Sequence, residues 1–165
     1  MKIKIVKTKK AQAWGIDLMI ASIMFISGIV VFYLYTLNTS DQSEEIINLL
    51  SYDGKIILDV LLSEGFPINW NEQNVINPGI LTENKINQTK LEQFYALSLN
   101  EYERTKTIFN TRYEYYVFLS DNITINGEEK AGIGKPPENP KNLIKISRVT
   151  IYNNKPLALN IYVWQ

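Results

Sequence analysis

Residues 18–37 read LMIASIMFISGIVVFYLYTL, twenty positions without one formal charge. Wound as a helix at about 1.5 Å per residue, that run reaches about 30 Å, the thickness of a bilayer's hydrocarbon core. Trp14 precedes it, and Tyr33 and Tyr35 close it, where amphipathic rings favour the headgroup layer. Upstream lie Lys2, Lys4, Lys7, Lys9 and Lys10 with no acid among them. Lysines beside a span stay on the cytoplasmic side. The pattern predicts a cytoplasmic basic leader over 1–12, one transmembrane helix over 13–37, and an exterior placement for everything after about Asn38. A secretory signal peptide is the competing reading, but its apolar region runs about 7–15 residues and ends at small residues. This run is longer and ends in Phe32-Tyr33-Leu34-Tyr35-Thr36-Leu37, which suits a membrane interface better than a peptidase.

Beyond the span about 125 residues remain, enough for one small domain with its own core. The formal net charge is zero but unevenly spread: taking the five N-terminal lysines from 17 basic residues leaves 12 against 17 acidic ones. The exterior part is mildly acidic, which argues against nucleic acid as a partner. There is no cysteine, hence no disulfide framework and no thiolate zinc site. There is no histidine either, which removes the usual general acid–base residue and every Ser-His or Cys-His nucleophile. An enzyme is not expected, nor a cofactor.

After Asn38 the polar stretch offers helix-start chemistry, Asp41 with Glu44 fitting a capping pattern. Apolar residues at Ile46, Leu49, Leu50, Ile56, Ile57, Val60 and Leu61 form a helical stripe, and Gly65 and Pro67 end it. This predicts an amphipathic stalk helix over 38–65, bent at Gly54 if anywhere. The remainder, 66–165, reads as an α+β head. Thr89 with Glu92 and Ser98 with Glu101 suggest capping boxes for two short helices. Arg112 to Leu119 and Ile123 to Ile125 are strand-like, and Glu128 to Asn139 reads as a loop. Leu143 to Tyr152, Asn153-Asn154 and Pro156 to Trp164 read as a hairpin, with a bulge near Ser147-Arg148. Leu157, Leu159, Ile161 and Val163 alternate cleanly, so the last strand buries one face. The expected fold class is therefore α+β: a long N-terminal transmembrane and stalk helix, short helices, and a C-terminal antiparallel β-sheet head.

Few motifs carry chemistry. Ala131-Gly132-Ile133-Gly134-Lys135 invites a phosphate-loop reading, but Glu129 stands where that loop needs glycine and Pro136 where it needs a hydroxyl. Glu44-Glu45 and Glu128-Glu129 are adjacent acids that fit a solvated face better than a catalytic dyad. A divalent ion near Asp121, Asn122 and Glu128 lacks calcium-loop spacing, so no metal site is expected. Tyr113, Tyr115 and Tyr116 fit strand packing better than ligand stacking. Three sequons place candidate N-glycosylation at Asn38, Asn87 and Asn122, all on the exterior side. Asp17, at the mouth of the apolar run, has two readings: a functional intramembrane acid, or an acid in the headgroups that favours the helix start.

Lys9-Lys10-Ala11-Gln12-Ala13-Trp14-Gly15-Ile16-Asp17, followed by the long apolar helix, resembles the N-terminus of archaeal type IV pilin-like proteins with a class III signal peptide. The resemblance covers roughly the first forty residues; the later strands are similar only in layout. It implies a prepilin peptidase as partner, cutting between Ala11 and Gln12, and an assembly role for Asp17, whose acid would neutralise a neighbouring subunit's new amino terminus. Two positions differ from the family pattern: alanine precedes Gln12 where glycine is common, and Asp17 is sixth from the cut where the acid is usually fifth and usually glutamate. The implied function is a structural subunit in the cell membrane, contacting the lipid bilayer and self-associating or joining other pilins to form an extracellular filament or pseudopilus. The alternative is a monomeric single-pass membrane protein whose exterior domain binds a ligand or partner.

Overall fold

The computed structural model of the chain describes residues 10–165, with side chains for 14–37 and 44–165. Two compact units divide it, Met1–Glu44 and Glu45–Gln165. The architecture is α+β, as the sequence predicts. Lys2, Lys4, Lys7 and Lys9 of the basic leader lie outside the described residues.

Helix α1 (Lys10–Leu61) takes in the apolar run and the polar stretch after it. Asp41 therefore lies within a helix and does not start one. The stretch 38–43 contains neither glycine nor proline, so nothing in it forces a break. In the second unit, Leu50, Ile57, Leu58 and Leu61 of α1 are fully buried, at the spacing of one helix face. Gly54 shares that face. A Cβ there would sit 2.7 Å from Ile146 Cδ1 and 3.1 Å from Val163 Cγ2. This glycine does not mark a bend; it lets the helix lie against the sheet. The helix ends at Leu61, earlier than the Gly65-Pro67 signal. The Ser63 hydroxyl donates to the Val60 carbonyl (2.7 Å) and accepts from the Gly65 amide (3.1 Å). Gly65 takes a φ of +76° in the turn that follows, where Trp70 is buried and donates through Nε1 to the Gly79 carbonyl (2.8 Å).

A short hairpin, β1 (Leu81–Thr82) and β2 (Lys85–Ile86), leads into α2 (Gln88–Asn100) and α3 (Tyr102–Phe109). The two capping boxes are not formed. Asn87 is the N-cap of α2, its side chain accepting from the Lys90 amide, which places Thr89 inside the first turn. Ser98 lies in α2, and Glu101 precedes α3 without a side-chain cap bond. Burial sets these limits: Leu91, Phe94 and Leu97 must share a face, and Asn87 is the capping side chain one turn ahead of them.

The strands are β3 (Glu114–Leu119), β4 (Ile123–Ile125), β5 (Glu128–Lys130), β6 (Ile133–Gly134), β7 (Leu143–Tyr152) and β8 (Lys155–Trp164). Six form one sheet in the order β1-β2-β7-β8-β3-β6, and β4 pairs with β5 separately. The main sheet is mixed, since β2 runs parallel to β7, while its other pairs are antiparallel. β5 and β6 fall in the stretch expected to be a loop. No bulge interrupts β7, whose register with β8 runs unbroken from Leu143↔Trp164 to Tyr152↔Lys155. The apparent phase change has another cause: Val149 faces outward, 79% exposed, while Arg148 takes a position on the helix side and reaches Asp59 of α1 at 4.0 Å. The core lies between α1, α2 and the face of the sheet carrying Tyr115, Val117, Leu159, Ile161 and Val163.

Candidate membrane anchor and head clefts

In the first unit, Trp14–Leu37 forms the one helix segment, among the described residues, long and apolar enough to cross a membrane. Its side chains all stand exposed. At about 1.5–3 kcal/mol per fully buried large apolar side chain, covering that set is worth tens of kcal/mol. Its serine and threonine hydroxyls are handled locally. The hydroxyls of Ser22, Ser27 and Thr36 donate to the carbonyls of Leu18, Ile23 and Phe32 at 2.8, 2.7 and 2.9 Å. Lipid offers no hydrogen-bond partner, so a span must satisfy its polar groups internally. This run does so.

Asp17 is exposed and borders a surface groove with Trp14, Leu18 and Ala21. It has no ion-pair partner among the described residues. Ala11 and Gln12 fall within the backbone of α1, but their side chains lie outside the described residues. Asp17 lies five positions beyond Gln12, about 7.5 Å along a helix axis.

In the second unit, the Gly132-Ile133-Gly134 segment has a structural explanation. A Cβ on Gly132 would meet the Tyr116 ring at 2.5 Å and the Val117 carbonyl at 2.6 Å. Gly134 has a φ of +103°, and a Cβ there would lie 2.6 Å from the Tyr115 carbonyl. Both glycines let β6 lie flat on β3 and Tyr116. Between β6 and the two short helices runs a cleft of about 420 Å³, walled by Tyr95, Tyr102 and Tyr116, with Leu99 and Lys135 at its rim. The Tyr102 hydroxyl donates to the Tyr115 carbonyl (3.2 Å) and accepts the Tyr115 amide (2.9 Å), so it closes the open edge of β3 where β6 ends. The Tyr102 ring stacks on Tyr115, centroids 5.1 Å apart, and the Tyr115 hydroxyl meets that of Thr105. Burial drives the Tyr102 hydroxyl well above its ordinary range, against the lowering effect of its bond to Tyr115. Burial likewise pushes Tyr115 up to about 12, partly offset by its hydrogen bond with Thr105.

Glu114 stands beside this cleft. Burial would raise its carboxyl, but a 2.9 Å bond from Lys106 and the charges of Lys106 and Lys135 outweigh it and hold the group below its usual value. Lys106 is held above its ordinary value, the pull of Glu114 exceeding the effect of burial. A second cleft of about 580 Å³ lies between α1 and the α3–β3 turn, where the Thr111 hydroxyl donates to Asp53 at 2.7 Å.

The remaining candidates are spread apart. Glu44 and Glu45 are exposed on α1. Glu128 pairs with Lys130 at 2.6 Å, and Glu129 accepts from Asn122 Nδ2 at 2.8 Å. No group of three or more Asp and Glu that could hold a metal occurs among the described residues. Tyr113 and Tyr115 are core residues; Tyr116 is half-buried on the opposite face of β3. Asn87 is the α2 cap, Asn122 is exposed, and the side chain of Asn38 lies outside the described residues.

Lys90 was not singled out by the sequence. It is 8% exposed, and its ammonium donates to the Glu64 carbonyl (2.7 Å) and the Leu81 carbonyl (2.9 Å). A lysine in a first helical turn reads as solvated, so no local signal pointed to it. No protein-family model, curated protein or solved structure matches the chain.

Proposed function

We propose that the protein is a pilin-like structural subunit. Its N-terminus is cytoplasmic, Leu18–Leu37 spans the bilayer, and the α+β head lies outside. Copies of the chain, or related subunits, associate through the apolar helix into an extracellular filament or pseudopilus. The observation that carries this reading is an exposed apolar helix whose serine and threonine hydroxyls bond to its own carbonyls, which is free of charge after a single acid at Asp17 and belongs to a chain with a separately cored head. Such a helix needs an apolar partner, first lipid and then neighbouring helices. Ala21, Ser22, Ser27 and Gly28 are small enough for close helix approach, and a Cβ at Gly28 would meet nothing within 4 Å among the described residues.

In this mechanism the head performs no chemistry and no cofactor is needed. A prepilin peptidase cuts between Ala11 and Gln12. The new amino terminus of one subunit then pairs with Asp17 of its neighbour as the helices pack, in a low dielectric where an uncompensated charge is costly. The test is to recover the protein from cells, sequence its N-terminus, and compare membrane with sheared extracellular material for the native chain and Asp17→Asn. Processing before Gln12, native chain in filaments and a filament yield for Asp17→Asn at least tenfold lower are expected. Breaking a buried ion pair costs about 3–5 kcal/mol, which exceeds that factor. Equal yields sink the role of Asp17. An intact Met1 with all protein in the membrane favours the second reading, an anchored monomer that uses the tyrosine-walled cleft near Lys135 to bind a ligand or partner.

A further inference from the structure

N-linked glycosylation joins an asparagine side-chain nitrogen to the anomeric carbon of a sugar and requires the hydroxyl two residues on. An enzyme that engages both groups at once needs them on one accessible side. Residues i and i+2 share a face in extended backbone, whereas in a helix they point roughly 200° apart. The three sequons differ on this point. Asn38-Thr39-Ser40 lies within the backbone of α1. Asn87 is half-buried, its Oδ1 accepting the Lys90 amide (3.2 Å) and its Nδ2 donating to the Thr82 hydroxyl (3.3 Å), while Gln88 and Thr89 are already helical.

Asn122-Ile123-Thr124 is different. It enters β4, where Ile123 and Ile125 are buried and Asn122 and Thr124 are both exposed on the other side. Asn122 Nδ2 reaches Glu129, the residue directly across from Thr124, which places the amide and the threonine on the same solvent face. A small groove of about 140 Å³, with Asp121, Lys155 and Leu157 in its walls, adjoins the pair and leaves room for a first sugar. The buried isoleucines fix the backbone, so the acceptor is presented without local unfolding.

We infer that Asn122 is an N-glycosylation acceptor, taking a saccharide from a polyprenyl-phosphate-linked donor at the exterior membrane face. Asn122 Nδ2 attacks the anomeric carbon, the N–C bond forms, and the C–O bond to the lipid phosphate breaks. The phosphate leaves with the bonding pair, and one amide proton is lost. The inference rests on the exterior placement of the head proposed above. The test uses the full chain in a host that glycosylates the exterior domain of a control membrane protein, with mass spectrometry of tryptic peptides. Residues 113–130 form a peptide carrying only the Asn122 sequon, and residues 86–90 one carrying only Asn87. The expected result is a saccharide mass on the first peptide and none on the second. Occupancy should fall at least tenfold in Asn122→Gln and Thr124→Ala and persist in Thr124→Ser. A bare 113–130 peptide from a head that external protease removes from intact cells overturns the acceptor role alone. A glycan on Asn87 instead does the same. A head that resists external protease until lysis overturns the exterior placement and the acceptor role with it.

Discussion

Replacing Lys90 by methionine keeps the aliphatic stem and removes only the ammonium. The structure sets the size of the effect. Two charge-assisted bonds, to the Glu64 and Leu81 carbonyls, are lost together. Each is worth about 1.5–3 kcal/mol when its partner stays dry. The Leu81 bond is buried, whereas the Glu64 bond is only part-buried, so water can take over at Glu64. Methionine also avoids the cost of burying a charge. That cost is already reduced here, because the ammonium sits just past the C-terminal end of α1, where helix carbonyls favour a cation. The net loss should be about 2–4 kcal/mol. For a unit of about 120 residues, with an unfolding entropy near 2.1 cal/mol/K per residue, each kcal/mol lowers Tm by about 4 °C. Thermal melts of the detergent-solubilised chain, followed by near-ultraviolet circular dichroism, should show Tm about 8–16 °C lower for Lys90→Met. A fall of less than about 2 °C would refute the idea that this ammonium ties α2 to β1 and to the turn after α1.

Glu114→Gln should flatten the acid limb of the head's stability. The native carboxyl titrates below its unfolded value, so its contribution is present above about pH 4.5 and is lost as pH falls through the lower folded value; identical acid melts for both chains would contradict this. Tyr115 has the opposite sign. With its folded pKa near 12 against 10 unfolded, its contribution is complete below pH 10 and lost as pH rises toward 12, on the order of 2–3 kcal/mol in all. Tyr115→Phe should remove that alkaline dependence in denaturation measured between those limits, and an unchanged slope would count against it. Gly54→Leu should destabilise the head by about 2–3 kcal/mol through overpacking against Ile146 and Val163, while Gly28→Leu should leave the head's melt unchanged and lower filament yield. Equal head melts for the two substitutions would count against the packing role of Gly54.

Strong periodicities were readable from the sequence. The Leu157, Leu159, Ile161, Val163 alternation became β8, with Leu159, Ile161 and Val163 fully buried. Asn153-Asn154 became its hairpin turn, with φ near 50° and 60° as a two-residue turn of that kind demands. Where the pattern is weak, tertiary context decided. β5 reads Glu-Glu-Lys and buries almost nothing, so alternation could not reveal it, although Asn126-Gly127 just before it carried the turn signal. Asn87 and Thr89 are both reasonable caps, and only the buried face of α2 selects the first. β7 appeared bulged because Val149 and Ile151 look like core residues in a string of letters. The parallel β2–β7 pair joins Lys85 to Ile151, far apart in sequence, and leaves no local trace. For the candidate site, the apolar run and Asp17 were evident at once. The glycines around Ile133 look like loop in the sequence, because their close contacts are with β3, outside their own segment.

Gly28 and Gly54 of α1 give the functional reading its physical footing. Glycine in a helix interior costs about 1 kcal/mol against alanine, so its presence calls for a compensating contact. At Gly54 the contact lies within the chain: the sheet comes so close that a Cβ would overlap Ile146. At Gly28 nothing among the described residues comes within 4 Å of where a Cβ would stand, and the neighbouring serines already donate their hydroxyls to their own carbonyls. Lipid tails alone give no reason to prefer a missing side chain, since they fill any groove. A second helix does, because backbones approach closely only where side chains are small. The same residue in one helix thus has an internal partner at one position and, among the described residues, none at the other. That asymmetry is what a subunit needs if its head folds alone and its anchor is completed by neighbours.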